Sequence, residues 1–144
     1  MDESKMEQAI ERGKGPATIL IAEDEELIRM MMVEVLQDEQ FTVLDADNGE
    51  AALRHLDTHK NVDLLITDMG LPGLNGRLLL EKARDANPRL KAIFVTGYPQ
   101  DILRAEKPGE GAGNKDWIKD IAVLRKPFDL TELIAKVRSV LADD

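Results

Sequence analysis

The sequence predicts an α/β fold: a doubly wound, five-stranded parallel sheet with helices on both faces. Three observations predict it. First, the segments TILIAED, FTVLDAD, VDLLITD, KAIFVTG and DIAVLRKP repeat one design, a short continuous apolar run bounded by polar residues. Continuous rather than alternating runs suit strands covered on both faces. Second, the stretches between them place apolar residues at helical spacing, so strand and helix alternate five times and right-handed crossovers follow. Third, 144 residues with 43% hydrophobic and 33% charged side chains suffice for one soluble domain with a substantial core.

Residues 1–17 are polar, carry Gly13, Gly15 and Pro16, and are expected to form a flexible arm or linker ahead of a domain spanning 18–142. Residues 26–38 align Leu27, Met31 and Val35 beside Ile28, Met32 and Leu36, the stripe of a first helix. Asp47-Asn48-Gly49-Glu50 resembles a capping box, with Asp47 as cap and Glu50 three residues on, opening the second. The third is expected from about Asn75 to Asp85, stopping before Asn87-Pro88. Residues 99–106 suit a short helix, and KPGEGAGNK reads as a flexible loop ahead of Trp117. The last helix begins at Asp129 with Glu132 three residues later, then carries Leu130, Leu133, Ile134, Val137, Val140 and Leu141.

Several function classes drop out on composition. The chain has no cysteine, which excludes disulfides and thiolate metal sites. No apolar run reaches the roughly 18–20 residues of a membrane span, and the first residues lack a signal-peptide core, so no membrane association and a cytoplasmic location are expected. Net charge is −9; residues 1–96 hold 11 basic and 19 acidic side chains, against 8 and 9 in 97–144. With no basic footprint, binding of nucleic acid by this domain is not expected. GKGP at 13–16 lacks the spacing and the Lys-Ser/Thr end of a phosphate-binding loop.

The chemistry lies at the strand ends. Glu23 and Asp24 follow the first run, Asp68 the third, Thr96 ends the fourth and Lys126 follows the fifth. In a doubly wound sheet these ends share one rim, where ligands bind at the point of strand-order reversal. If the first and third strands are neighbours, Glu23, Asp24 and Asp68 converge. Two like charges about 4 Å apart repel by roughly 4 kcal/mol at an effective dielectric near 20, so a compensating cation is expected. A hard divalent ion with oxygen ligands fits, and Mg²⁺ suits a half-open cluster that keeps its waters. Each residue alone is ordinary: an acidic pair often merely starts a helix, and Lys-Pro often merely connects. Their combination, in order and at matching strand ends, is specific.

ILIAEDEE at 19–26, DLLITDMGLPGLNG at 63–76, FVTGYP at 94–99 and VLRKPFDLTEL at 123–133 closely resemble the receiver domain of two-component response regulators, also found in hybrid histidine kinases. The resemblance covers residues 18–142. It implies the flavodoxin-like (βα)₅ receiver fold with strand order 2-1-3-4-5. It further implies that Asp68 is the phosphoacceptor for a histidine kinase or histidine phosphotransfer protein. Glu23, Asp24, Asp68 and the Gly70 backbone carbonyl would hold Mg²⁺, Asp24 more directly than Glu23. Lys126 and Thr96 would meet phosphoryl oxygens, and Lys126-Pro127 would be cis. Such a domain catalyses only its own phosphorylation and dephosphorylation, changes partner binding, and leaves room for a phosphorylation-dependent homodimer.

The sequence also departs from the family pattern. Val123 stands where the family's aromatic switch residue usually does, three before Lys126, and the stretch from Thr96 to Lys126 is long. For Tyr98, two residues after Thr96, two readings stand: a gate on water access to the acyl phosphate, or a loop tyrosine that half covers the surface; for Trp117, ordinary packing is preferred over standing in for the missing switch aromatic. His55 and His59 are expected on the exposed side of the second helix. Two other readings compete. A Mg²⁺-dependent phosphohydrolase usually has a second carboxylate two residues after the nucleophile, where this chain has Gly70. A docking module that is never phosphorylated needs no acceptor site, yet every acceptor position here keeps a suitable residue.

Overall fold

The computed structural model describes residues 16–97 and 121–142. Within them run β1 (Thr18–Ala22), α1 (Glu26–Asp38), β2 (Thr42–Ala46), α2 (Gly49–Thr58), β3 (Leu64–Asp68), α3 (Gly76–Ala86), β4 (Lys91–Thr96), β5 (Ile121–Arg125) and α4 (Leu130–Ala142). All four strand pairings are parallel and the order is 2-1-3-4-5, as expected. The short helix expected over 99–106, the KPGEGAGNK loop, Tyr98 and Trp117 lie outside the described residues, as does most of the N-terminal arm. Ala17, at the end of that expected arm, is buried, and its carbonyl accepts the Thr42 N–H at 3.0 Å.

Alternate residues of each strand feed two cores. Leu20, Leu65, Ala92 and Phe94 pack beneath α2 and α3 with Ala52, Leu79, Leu80 and Ala83. Ile19, Ile21, Leu64, Ile66, Ile93 and Val95 pack on the other face with Met32 and Leu36 of α1 and Leu133 and Val137 of α4. Burial on both sides is why the inner strands read as unbroken apolar runs. The edge strands depart from that expectation. β2 is mostly half-exposed and Asp45 points to solvent, while β5 is half-buried over its first three residues. An edge strand has a neighbour on one side only, so it loses less surface.

Helix ends also correct the sequence reading. The cap of α2 is Asn48, whose Oδ1 accepts the Ala51 N–H at 2.8 Å; Asp47 instead accepts from the Asn48 side chain at 2.7 Å. Asp47 and Glu50 therefore form no capping box. Gly49 lets the start of α2 close on the loop after β3, for a Cβ there would stand 2.3 Å from the Leu74 carbonyl oxygen. The reciprocal pair occurs in α4, where Glu132 N–H donates to Asp129 Oδ1 at 2.7 Å and Glu132 Oε1 lies 3.5 Å from the Asp129 nitrogen. α1 ends in a Schellman turn: Phe41 N–H reaches Leu36 O at 3.1 Å and Gln40 N–H reaches Gln37 O at 2.9 Å. Gln40 adopts φ 74°, the left-handed position glycine usually fills. No helix among the described residues is long and apolar enough to cross a membrane.

Candidate functional site

The strand order makes β1 and β3 neighbours, and their C-terminal ends deliver three carboxylates. Glu23, Asp24 and Asp68 each offer an oxygen within 4.8 Å of the others. Glu23 leaves β1 with its N–H donated to the Ala46 carbonyl of β2 at 3.0 Å, and it is 1% exposed. Its Oε2 turns back to accept the Glu25 N–H at 3.0 Å. Asp24, one residue on, is exposed. Asp68 closes β3 half-buried, and its Oδ1 accepts the Gly70 N–H at 2.9 Å. The close approach of α3 holds Asp68 from behind. Gly76 permits it, because a Cβ there would stand 2.6 Å from the Asp68 carbonyl oxygen.

Lys126 joins the cluster from across the sheet. Its backbone N–H donates to the Thr96 carbonyl at 2.8 Å, and its peptide bond to Pro127 is cis. The ammonium lies 2.7 Å from Asp68 Oδ2 and 3.3 Å from Glu23 Oε1. Thr96 sits at the end of β4, only 6% exposed. Burial pushes the Glu23 carboxyl above its ordinary range, and this outweighs the Glu25 N–H and the nearby Lys126 charge, which favour ionisation. Burial also works against charging Lys126, but its hydrogen bond and ion pair with Asp68, then those with Glu23, hold its pKa raised overall.

The structure thus brings Glu23, Asp24, Asp68 and Lys126 to one rim, with Thr96 tied to the backbone of Lys126 and Gly70 to the carboxylate of Asp68. The donors are all oxygens and partly open to solvent, a set that fits a hard divalent ion. Val123 is half-buried against the core that holds Phe94. The histidines differ from expectation, since both are half-buried. His55 Nε2 lies 3.0 Å from the Asp45 carbonyl and His59 Nδ1 lies 3.1 Å from the His55 carbonyl, each an acceptor-only oxygen.

Sequence reasoning missed Arg29. From the first full turn of α1 it donates Nη1 to the Glu23 carbonyl and Nε to Asp45 Oδ2, both at 3.0 Å. The available signal was a lone cation inside EDEELIRMMM, one turn into the helix that follows the acidic pair.

Comparison with known proteins agrees with this geometry. The family model of the response regulator receiver domain matches residues 19–138. The sensor kinase CckA of Brucella abortus (strain 2308) is 34% identical over 140 residues, which cover 96% of this chain but 14% of CckA. The response regulator receiver protein CpdR of the same strain is 32% identical over 123 residues, 85% of this chain and 95% of CpdR. The crystal structure of the receiver domain from the hybrid histidine kinase CckA superposes with a TM-score of 0.69 at 28% identity, covering 87% of this chain and 99% of that one. A parallel 2-1-3-4-5 sheet, an acidic rim facing a lysine, and a family match over most of the length lead to one conclusion: this chain belongs to the response regulator receiver domain family.

Proposed function

We propose that this domain is the phosphoacceptor of a two-component phosphorelay in the cytoplasm. Asp68 takes a phosphoryl group from a phosphohistidine on a histidine kinase or histidine phosphotransfer protein. One Asp68 carboxylate oxygen attacks phosphorus in line, the P–N bond breaks as the P–O bond forms, and the bonding pair returns to the imidazole. The reading is carried by one observation: a strand-end carboxylate stands among two further carboxylates and opposite an ammonium 2.7 Å away.

Each residue has a part in that reading. The Gly70 N–H fixes the Asp68 carboxylate plane, so the nucleophile is oriented before the donor arrives. Lys126 is near enough to follow charge from Asp68 to an incoming phosphoryl oxygen. Thr96, at the neighbouring strand end, would hydrogen-bond a second phosphoryl oxygen. Glu23, Asp24, Asp68 and the Gly70 carbonyl would hold Mg²⁺, which when bound neutralises charge on the transferring group. Phosphorylation adds about −1.5 to −2 charges and three acceptor oxygens at this rim, and the new contacts bias the domain toward a second, partner-binding state.

Incubation with acetyl phosphate and Mg²⁺, followed by intact-mass spectrometry, tests this. Wild type is expected to gain one phosphoryl group and Asp68→Asn none. Equal labelling of the two proteins would remove Asp68 from the role. Continuous turnover of phosphate esters would make the domain a hydrolase instead. Normal folding with no labelling would leave a docking module.

A further inference from the structure

Arg29 is built into the acidic corner through two other elements. The Glu23 carbonyl belongs to the peptide that joins Glu23 to Asp24, so its direction sets where both side chains leave the backbone. Two bonds hold that short segment: Glu23 N–H on the Ala46 carbonyl of β2, and Arg29 Nη1 on the Glu23 carbonyl, each at 3.0 Å. Arg29 is itself fixed, because its Nε donates to Asp45 Oδ2 at 3.0 Å and its side chain is only 16% exposed. β2 therefore grips Glu23 twice, directly through Ala46 and indirectly through Asp45 and Arg29.

We propose that Arg29, anchored by Asp45, is the positioning residue that sets the Glu23–Asp24 pair in its divalent-cation-binding geometry; this rests on the magnesium reading above. A planar guanidinium can present two donors at a fixed angle to two acceptors, which an ammonium on a flexible stem does not reproduce. Outer-shell partners that orient ligands typically change metal affinity by about 10–100-fold when removed. The pair also explains a solvent-facing aspartate on an edge strand: Asp45 holds the arginine rather than the sheet.

The test uses the whole chain and two readouts. Calorimetric titration with Mg²⁺ should show a dissociation constant about tenfold or more weaker in Arg29→Ala, and nearly as weak in Arg29→Lys, with a smaller loss in Asp45→Asn. In metal-free protein, hydrogen exchange at the Glu25 amide, which donates to Glu23 Oε2, should speed up in Arg29→Ala while exchange in β3 stays unchanged. Wild-type Mg²⁺ affinity in Arg29→Ala would overturn the proposal. Full recovery by Arg29→Lys would also overturn it, because charge alone would then suffice. Unchanged Glu25 exchange would do the same. If the wild-type protein bound no Mg²⁺, the magnesium reading itself would fall, and a normal wild-type titration beside an unaltered Arg29→Ala would sink only the arginine's part.

Discussion

Glu23 gives up nearly all of its solvent at the end of β1, and neither the Glu25 N–H nor Lys126 fully compensates for that loss. Burial therefore leaves its pKa raised above the ordinary 4.5. In the window from there up through the raised folded value, the folded protein holds more protons than the unfolded chain, so stability falls as pH rises. Glu23→Gln mimics the protonated side chain and should remove that decline. Urea unfolding in EDTA should find the variant more stable than wild type at neutral pH, with the difference shrinking toward acid pH. The same variant should bind Mg²⁺ more weakly. A variant less stable than wild type at neutral pH would contradict the assignment of burial as the winning effect.

At the scale of the element, strand interiors were legible and helix starts were less so. The Asp47–Glu50 spacing fits a capping box as well as any local pattern can, yet Asn48 caps α2. The loop after β3 helps explain this, since Gly49 packs on Leu74 and thereby fixes where the first turn begins. Such a contact, 25 residues away in sequence, leaves no local trace. Asn48→Ala should lower stability by about 1 kcal/mol in chemical denaturation, whereas Asp47→Ala should be close to neutral. The edge strands teach the same lesson. FTVLDA resembles the inner runs, but its place at the end of the sheet leaves it half-wet and frees Asp45 to bind Arg29.

Across the whole molecule, the two cores lock the inner strands from both faces, so the rim residues inherit a rigid base. Three carboxylates and one ammonium on that base leave a net negative corner. A bound divalent ion should therefore stabilise the entire fold by mass action, by about 2.7 kcal/mol when its concentration is 100 times the dissociation constant. Thermal unfolding should shift upward on adding Mg²⁺, return on adding EDTA, and show no such shift in Asp24→Ala. An equal shift in that variant would mean the ion binds elsewhere.

Fold class, strand ends and the residue types that occupy them are legible in the chain without coordinates, because a parallel sheet covered on both faces imprints continuous apolar runs whose polar boundaries are plain to read. Glu23, Asp24, Asp68, Thr96 and Lys126 stand at those ends. Which atoms meet follows from the folded arrangement alone: Lys126 reaches Glu23 as well as Asp68, 58 residues before it, Asn48 rather than Asp47 caps α2, and Arg29 ties the acidic peptide to β2. The physical reason is range. Propensity and periodicity act over a few residues, whereas side-chain direction at the rim is set by neighbours that chain folding brings in from elsewhere.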